Sequence, residues 1–462
     1  MKRIDILPDD VLLGIFDFYV NDRPSYENKI GTEKWQLLIH VCRRWRTLVL
    51  ASPRRLNLQL FCTPDTPASD TLDVWPALPL IIRGVMGLNM DNIIAALKGS
   101  NRVCQVDLTF EGWQLENVLV AMQVPFPELT ELRLRVFTCG ETIPVIPDLF
   151  FDRSAPHLRH IILRGIPFPG LPNLLLSATH LVDLNLDNIP HSGYISPEEI
   201  VALISVLSSI ETLSFGFQSP QSRPDPITRR LPPSNRSVIP TLRNLGFKGV
   251  VEYIEDLVTG IDAPQLDKLE ITVFNQIDFD TPRLAQFINR TPKLGKREAI
   301  VQFTDSWSRI QLGLPQLPLP PGTFQIGISC REPDWQLSSI EQVCNSSLHP
   351  LSTVEDLYIE HWYLKLVWKD DAIENTLWLQ LLLPFTTVKN LYLYEEFAPG
   401  IAAALKELDG GRITEVLPSL RNIFVKGLEP SGPFQEKIGQ FVAARELSDR
   451  PITISDWDGR RW

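Results

Sequence analysis

His157 and His160 are the closest pair of imidazoles in the chain. Imidazoles bind a metal with a thiolate or carboxylate at matching spacing, and neither stands at such a spacing here. The six cysteines, at 42, 62, 104, 139, 330 and 344, form no C-x-x-C pair. They read as small buried hydrophobes of a reducing compartment. No phosphate-cradling G-x-x-x-x-G-K-[ST], nucleophile elbow G-x-S-x-G, zinc-binding H-E-x-x-H or dinucleotide-binding G-x-G-x-x-G occurs. The side chains therefore point away from catalysis: the expectation is no enzyme, no metal and no cofactor. What remains is recognition, and the residues suited to it are aromatic. Tyr358, Tyr392, Tyr394 and Phe424, with Trp362 just beyond, recur at equivalent places in a repeated pattern. Clustered aromatics bury large areas at small entropic cost, as binding centres do.

The elements that must position these residues fall into two regimes. Composition is that of an ordinary folded protein, with 44% hydrophobic and 21% charged residues. Lys plus Arg number 44 against 55 Asp plus Glu, a net charge of -11. Such an acidic chain is a poor partner for nucleic acid or an anionic membrane. The start is broken by Asp5, Asp9 and Asp10, so no secretory signal is read there. The sequons at Asn235, Asn289 and Asn345 are read as chance, and the expected location is cytoplasm and/or nucleus.

Residues 1–53 are helical in pattern. Pro8 suits a first helical turn, and Asp9 and Asp10 complement the helix dipole there. Val11, Leu12, Ile15, Phe16 and Tyr19 follow at three- and four-residue spacing, as do Trp35, Leu38, Val41, Cys42, Trp45, Leu48 and Val49 after a polar stretch over 21–31. The run Leu7-Pro8-Asp9-Asp10-Val11-Leu12-Leu13-Gly14-Ile15-Phe16, followed by Val41-Cys42-Arg43-Arg44-Trp45, resembles an F-box. The stretch between the two halves is longer than the compact pattern of that family. The resemblance implies docking to the adaptor subunit of SCF ubiquitin ligases and, through it, to cullin. The residues it nominates for adaptor contact are Leu7, Pro8, Leu12, Ile15, Val41 and Trp45.

Residues 54–462 repeat a different unit: apolar, two variable residues, apolar, variable, apolar. It stands at Leu129–Leu134, Leu158–Leu163, Leu181–Leu186, Ile210–Phe215, Leu242–Phe247 and Leu266–Ile271, then at Val354–Ile359, Val388–Leu393 and Leu420–Val425. Weaker versions begin at Leu56, Leu78 and Val103. The alternation predicts short half-buried strands. Ser196-Pro197-Glu198-Glu199 and Thr281-Pro282 predict helix starts between them. Unit starts lie 23 to 34 residues apart outside one gap, the period of a leucine-rich repeat. The ninth position, Asn or Cys in that repeat, holds Phe137, Ile166, Gln218, Val250, Phe274, Trp362, Glu396 and Leu428, so no asparagine ladder to the loops is expected.

The expected fold class is α/β: a helical F-box, then an irregular solenoid with a parallel concave sheet and outer helices. The pattern degrades over 272–351, where 301–303 and 324–328 are candidate strands and 312–322 a proline-rich connector. A basic loop over 220–240 carries Arg223, Arg229, Arg230 and Arg236 and reads as solvated surface. The arrangement resembles the expanded F-box families of basidiomycete fungi. That resemblance implies a substrate receptor of an SCF-type ubiquitin ligase. A protein substrate would sit on Tyr358, Trp362, Tyr392, Tyr394 and Phe424, provided residues 434–447 do not fold back over them. A non-ligase F-box scaffold and a ligand-gated sensor are the alternatives. The third, fifth and seventh positions of early units offer a different strip: Glu131, Arg133, Arg135, His160, Arg164, Asp183 and Asp187.

Overall fold

The computed structural model describes residues 7–21, 34–85, 90–137, 143–225, 236–274, 279, 281–291, 293–313, 322–346, 349–361, 375–408, 410–428 and 432–458. Trp362, Arg229, Arg230, the connector 314–321 and the segment 22–33 lie outside them. The chain divides into two compact units, residues 1–193 and 194–462.

The first unit opens with helices α1 (Asp9–Asn21), α2 (Lys34–Ile39) and α3 (Arg43–Ala51). Six parallel strands follow: β1 (Leu60–Cys62), β2 (Leu80–Val85), β3 (Val103–Phe110), β4 (Glu131–Val136), β5 (His160–Arg164) and β6 (Asp183–Ile189). Each crossover between parallel strands must travel back along the strand, and helices or short turns make that return. Leu132 pairs with Ile161 and Leu134 with Leu163, so the repeats align position for position. The helices share this unit with the first strands: Trp35 is buried and its Nε1 donates to the Gln59 carbonyl at 3.0 Å.

The second unit contains β7 (Thr212–Phe217), β8 (Ser237–Val238), β9 (Asn244–Gly249), β10 (Ile261–Asp262), β11 (Lys268–Phe274), β12 (Glu298–Phe303), β13 (Trp307–Leu312), β14 (Thr323–Ser329), β15 (Asp356–His361), β16 (Asn390–Leu393), β17 (Asn422–Lys426) and β18 (Thr453–Trp457). The sheet order is β7-β9-β11-β14-β13-β12-β15-β16-β17-β18, and β8 pairs with β10 apart from it. The pairs are parallel except β12–β13 and β13–β14. The sheet is thus mostly parallel, as expected, and departs from that only at β13, inside the stretch where the repeat pattern degrades. The irregular stretch is a three-strand meander entered at its far side, so β14 rather than β12 lies beside β11. Its first turn is tied by Thr304, whose Oγ1 accepts from the amides of Ser306 at 3.2 Å and Trp307 at 3.0 Å. From below, buried Gln336 donates to the carbonyls of Thr304 and Cys330.

The inward positions form the core. The fourth and sixth residues of every clear unit, Leu132 and Leu134 through Ile423 and Val425, are at most 4% exposed. Helix starts follow the sequence signals. Ser196 and Glu199 form a capping box at Pro197–Val206, with Ser196 Oγ accepting from the Glu199 amide. At Pro282–Asn289 the side chain of Thr281 makes no cap bond. Buried Glu255 substitutes, accepting from the amides of Leu284 at 2.7 Å and Arg283 at 3.1 Å. A carboxylate there also meets the positive end of the helix dipole.

Candidate functional sites on the helices and the open sheet face

Helix α1 carries apolar side chains on two faces. Leu12, Leu13 and Phe16 point into the small helical core. Val11, Ile15 and Phe18, spaced i, i+4, i+7, form an outward row and are 43, 49 and 76% exposed. A second outward pair is Leu37 and Val41, at 50 and 58%. The Arg44 guanidinium fixes how the chain enters α1: it donates to Asp9 Oδ1 and, at 2.6 Å, to the Leu7 carbonyl. Trp45 is half-buried with its ring 4.7 Å from that of Phe16.

Of the residues nominated for adaptor contact, Pro8, Ile15 and Val41 are exposed, and Leu7 and Trp45 are half-buried. Leu12 is 1% exposed. Its nomination is corrected: an aliphatic run on a thin helical domain must supply both core and contact, and Leu12 falls on the core side. Val11, Phe18 and Leu37, not nominated, are outward. The helical period places Val11 and Phe18 on the row of Ile15, so the signal for them was present.

On the sheets, alternate strand residues face away from the core and form an open face. In the first unit this face carries charge. Arg135 Nη1 lies 2.8 Å from Asp107 Oδ1, His160 Nδ1 2.6 Å from Asp183 Oδ2 and Arg164 Nε 3.2 Å from Asp187 Oδ2, while Arg133 pairs with Glu131. The mixed-charge strip is largely paired within itself.

In the second unit the corresponding face turns aromatic. Tyr358, Tyr392 and Phe424 stand in register on β15, β16 and β17. Their rings stack, with centroids 4.3 Å and 4.7 Å apart and planes within 8° and 11°. Ile300 of β12 continues the row. Tyr394 follows the last residue of β16, with Lys426 Nζ 4.2 Å from its ring centre. The structure therefore brings four of the five nominated substrate residues to one face; Trp362, the fifth, lies outside the described residues.

Their exposure differs from expectation. Tyr358 is only 6% exposed, while Tyr392, Tyr394 and Phe424 are half-buried. Among the described residues the ring that covers the tyrosines is Trp457 of β18, 5.3 Å from Tyr392, 5.7 Å from Tyr394 and 5.9 Å from Tyr358, rather than one from residues 434–447. Burial pushes the phenols of Tyr358 and Tyr392 above the usual tyrosine range, so both stay neutral and offer hydroxyl and ring rather than charge.

A polar network adjoins this row. Buried Glu360 accepts from Gln302 Nε2, Gln302 Oε1 accepts from Arg309 Nε, and Arg309 also reaches Gln325 at 3.3 Å while lying over the Trp307 ring. A side-chain ladder runs beside it at the third repeat position. Asn390 donates to Asp356 at 2.6 Å, Asn422 to Asn390 at 2.7 Å and Thr453 to Asn422 at 2.5 Å. An asparagine ladder thus exists here, but it links strand to strand at the start of each strand.

No helix among the described residues is long and apolar enough to cross a membrane. No family model matches the chain, and no curated protein matches it. Among solved structures, it is similar to the complex of Rad7 and Elc1 in yeast, at 15% identity and a TM-score of 0.32, over 92% of this chain and 90% of that one. It is also similar to an internalin from Listeria monocytogenes, at 11% identity and a TM-score of 0.32, over 88% of this chain and 92% of that one. The chain's own strand order, register and period make it an α/β repeat array with a mostly parallel sheet and outer helices, of leucine-rich-repeat type.

Proposed function

We propose that this chain is the substrate-recognition subunit of an SCF-type ubiquitin ligase. It performs no chemistry itself. Helices α1–α3 dock the adaptor, and the repeat array holds a protein substrate near the charged ubiquitin carrier, raising its effective concentration. The observation that carries the reading is the outward apolar surface of Val11, Ile15 and Val41, on the segments that match the F-box pattern, extended by Phe18 and Leu37 beside them. Three short helices have no reason to expose so much apolar surface unless a partner covers it.

The test is calorimetric titration of the purified SCF adaptor subunit into wild-type protein and into the double variant Ile15→Asp, Val41→Asp. Both side chains are exposed, so the variant should unfold at the wild-type temperature. Loss of two interface anchors should weaken binding about 30-fold or more. Equal affinity for both proteins would refute adaptor docking on this surface.

A further inference from the structure

Strand β18 behaves unlike the others. Thr453, Ser455 and Asp456 are exposed and Ile454 is half-buried, yet Trp457 is 6% exposed. Trp457 is the one buried side chain within the strand, with Ile452 buried just before it, and it is inserted among Tyr358 of β15, Tyr392 of β16 and Tyr394 just past the end of β16. Among the described strands β18 pairs only with β17. Its polar groups read particular positions: Thr453 Oγ1 completes the ladder on Asn422, and Asp456 Oδ1 accepts from the Leu428 amide at 3.0 Å. Lys426 stands opposite Trp457 in register, with a cation beside a strand that bears Asp456 and Asp458. The preceding helix Pro433–Leu447 has anchors of its own: Phe434, Ile438, Phe441 and a fully buried Arg445, which donates to the carbonyls of Ile413, Leu417 and Leu420.

We propose that the aromatic seat is a peptide-binding site and that β18 is its resident, displaceable ligand. The partner is an extended segment that adds to β17 as a parallel strand, with Trp in the seat, Asp immediately before it, and Thr or Ser three residues before the Asp. Main-chain bonds to an exposed strand supply affinity, and the pocket and polar groups supply specificity, as in other strand-addition complexes. The resident strand competes at the effective concentration of a short tether, on the order of millimolar, so an outside segment gains entry when it binds more tightly or when β18 is released. The proposal deepens the reading of the array as the substrate-holding part and rests on it. Its test uses no adaptor, so adaptor docking and strand addition fail separately.

A fluorescent synthetic peptide of residues 451–458 is titrated into full-length protein by anisotropy. It should bind Trp457→Ala protein at least about 10-fold more tightly than wild type, since the variant's own strand no longer holds the seat. The same peptide with Ala in place of Trp should bind neither protein. Equal binding to both proteins, or binding to neither, would overturn the proposal. Hydrogen exchange on the unaltered protein decides independently of whether that variant folds. The amides of Thr453–Trp457 should exchange at least about 10-fold faster than those of Asn422–Lys426, because release of β18 needs only local opening. Equal protection of the two strands would make β18 a fixed part of the sheet and overturn the proposal.

Discussion

The open faces of β3–β6 and of β15–β18 share one backbone plan, parallel strands in matched register, and differ in what they display. The early face sets Asp107, Glu131, Asp183 and Asp187 against arginines and His160, in pairs still reached by water. The late face stacks Tyr358, Tyr392 and Phe424 and roofs the two tyrosines with Trp457. Exposed ion pairs gain little net free energy, because water solvates the separated charges nearly as well. Stacked rings remove apolar area from water and add quadrupole contacts. Inward leucines therefore specify the array, while outward residues are free to be spent on solubility in one region and on a built seat in another.

The comparison sharpens most where the late region depends on buried side chains. Arg445→Ala removes the donor shared by three buried carbonyls and leaves a cavity, so it should cost about 4 kcal/mol in urea unfolding. Tyr392→Ala breaks the middle of the stack and should cost about 3 kcal/mol, whereas Tyr392→Phe keeps the ring and should cost under about 1 kcal/mol. A loss for Tyr392→Ala no larger than for Tyr392→Phe would show that the stack contributes nothing to the fold.

On the early face the expected effects are small. A double-mutant cycle on Asp107 and Arg135 should yield about 0.2 to 1 kcal/mol, fading in 1 M salt as the charges are screened. A coupling as large as the Tyr392→Ala loss would erase the contrast between the faces. The smallest effect concerns pH. Burial lowers the pKa of His361, outweighing the raising influence of Glu396 and Asp305, so the folded state favours neutral imidazole. The unfolded chain then binds the proton more readily. Stability from this group is complete above the ordinary histidine value of 6.5 and is lost as pH falls through the folded pKa. The His361→Asn variant should show a flatter decline of unfolding temperature over that acidic window.

Much of the fold was legible because the inward positions obey one simple rule, an apolar residue at alternate strand places. The rule failed where burial was polar. Strand β13 was missed because its inward row begins with Ser308, satisfied by the Gln336 carbonyl, and Gln311 is buried as well. Strand β18 was missed because Thr453, Ser455 and Asp456 give it no repeat pattern, and Trp457 acts through a partner face that only pairing reveals. The resemblance nominates Leu12 for adaptor contact, but a sequence motif does not say which side of a helix meets the core. Tyr358 was correctly placed on the face but not under its cover, since that cover arrives about a hundred residues later in the chain.

The central claim, that this chain links a ubiquitin-ligase core to a substrate, is tested most directly by whether cullin follows it. Tagged wild-type protein, purified from cells with the proteasome inhibited, should carry adaptor and cullin in stable amounts, and the Ile15→Asp, Val41→Asp variant should lose both while keeping its fold. Adaptor without cullin on the wild-type protein, or equal recovery of both on the variant, would contradict the account.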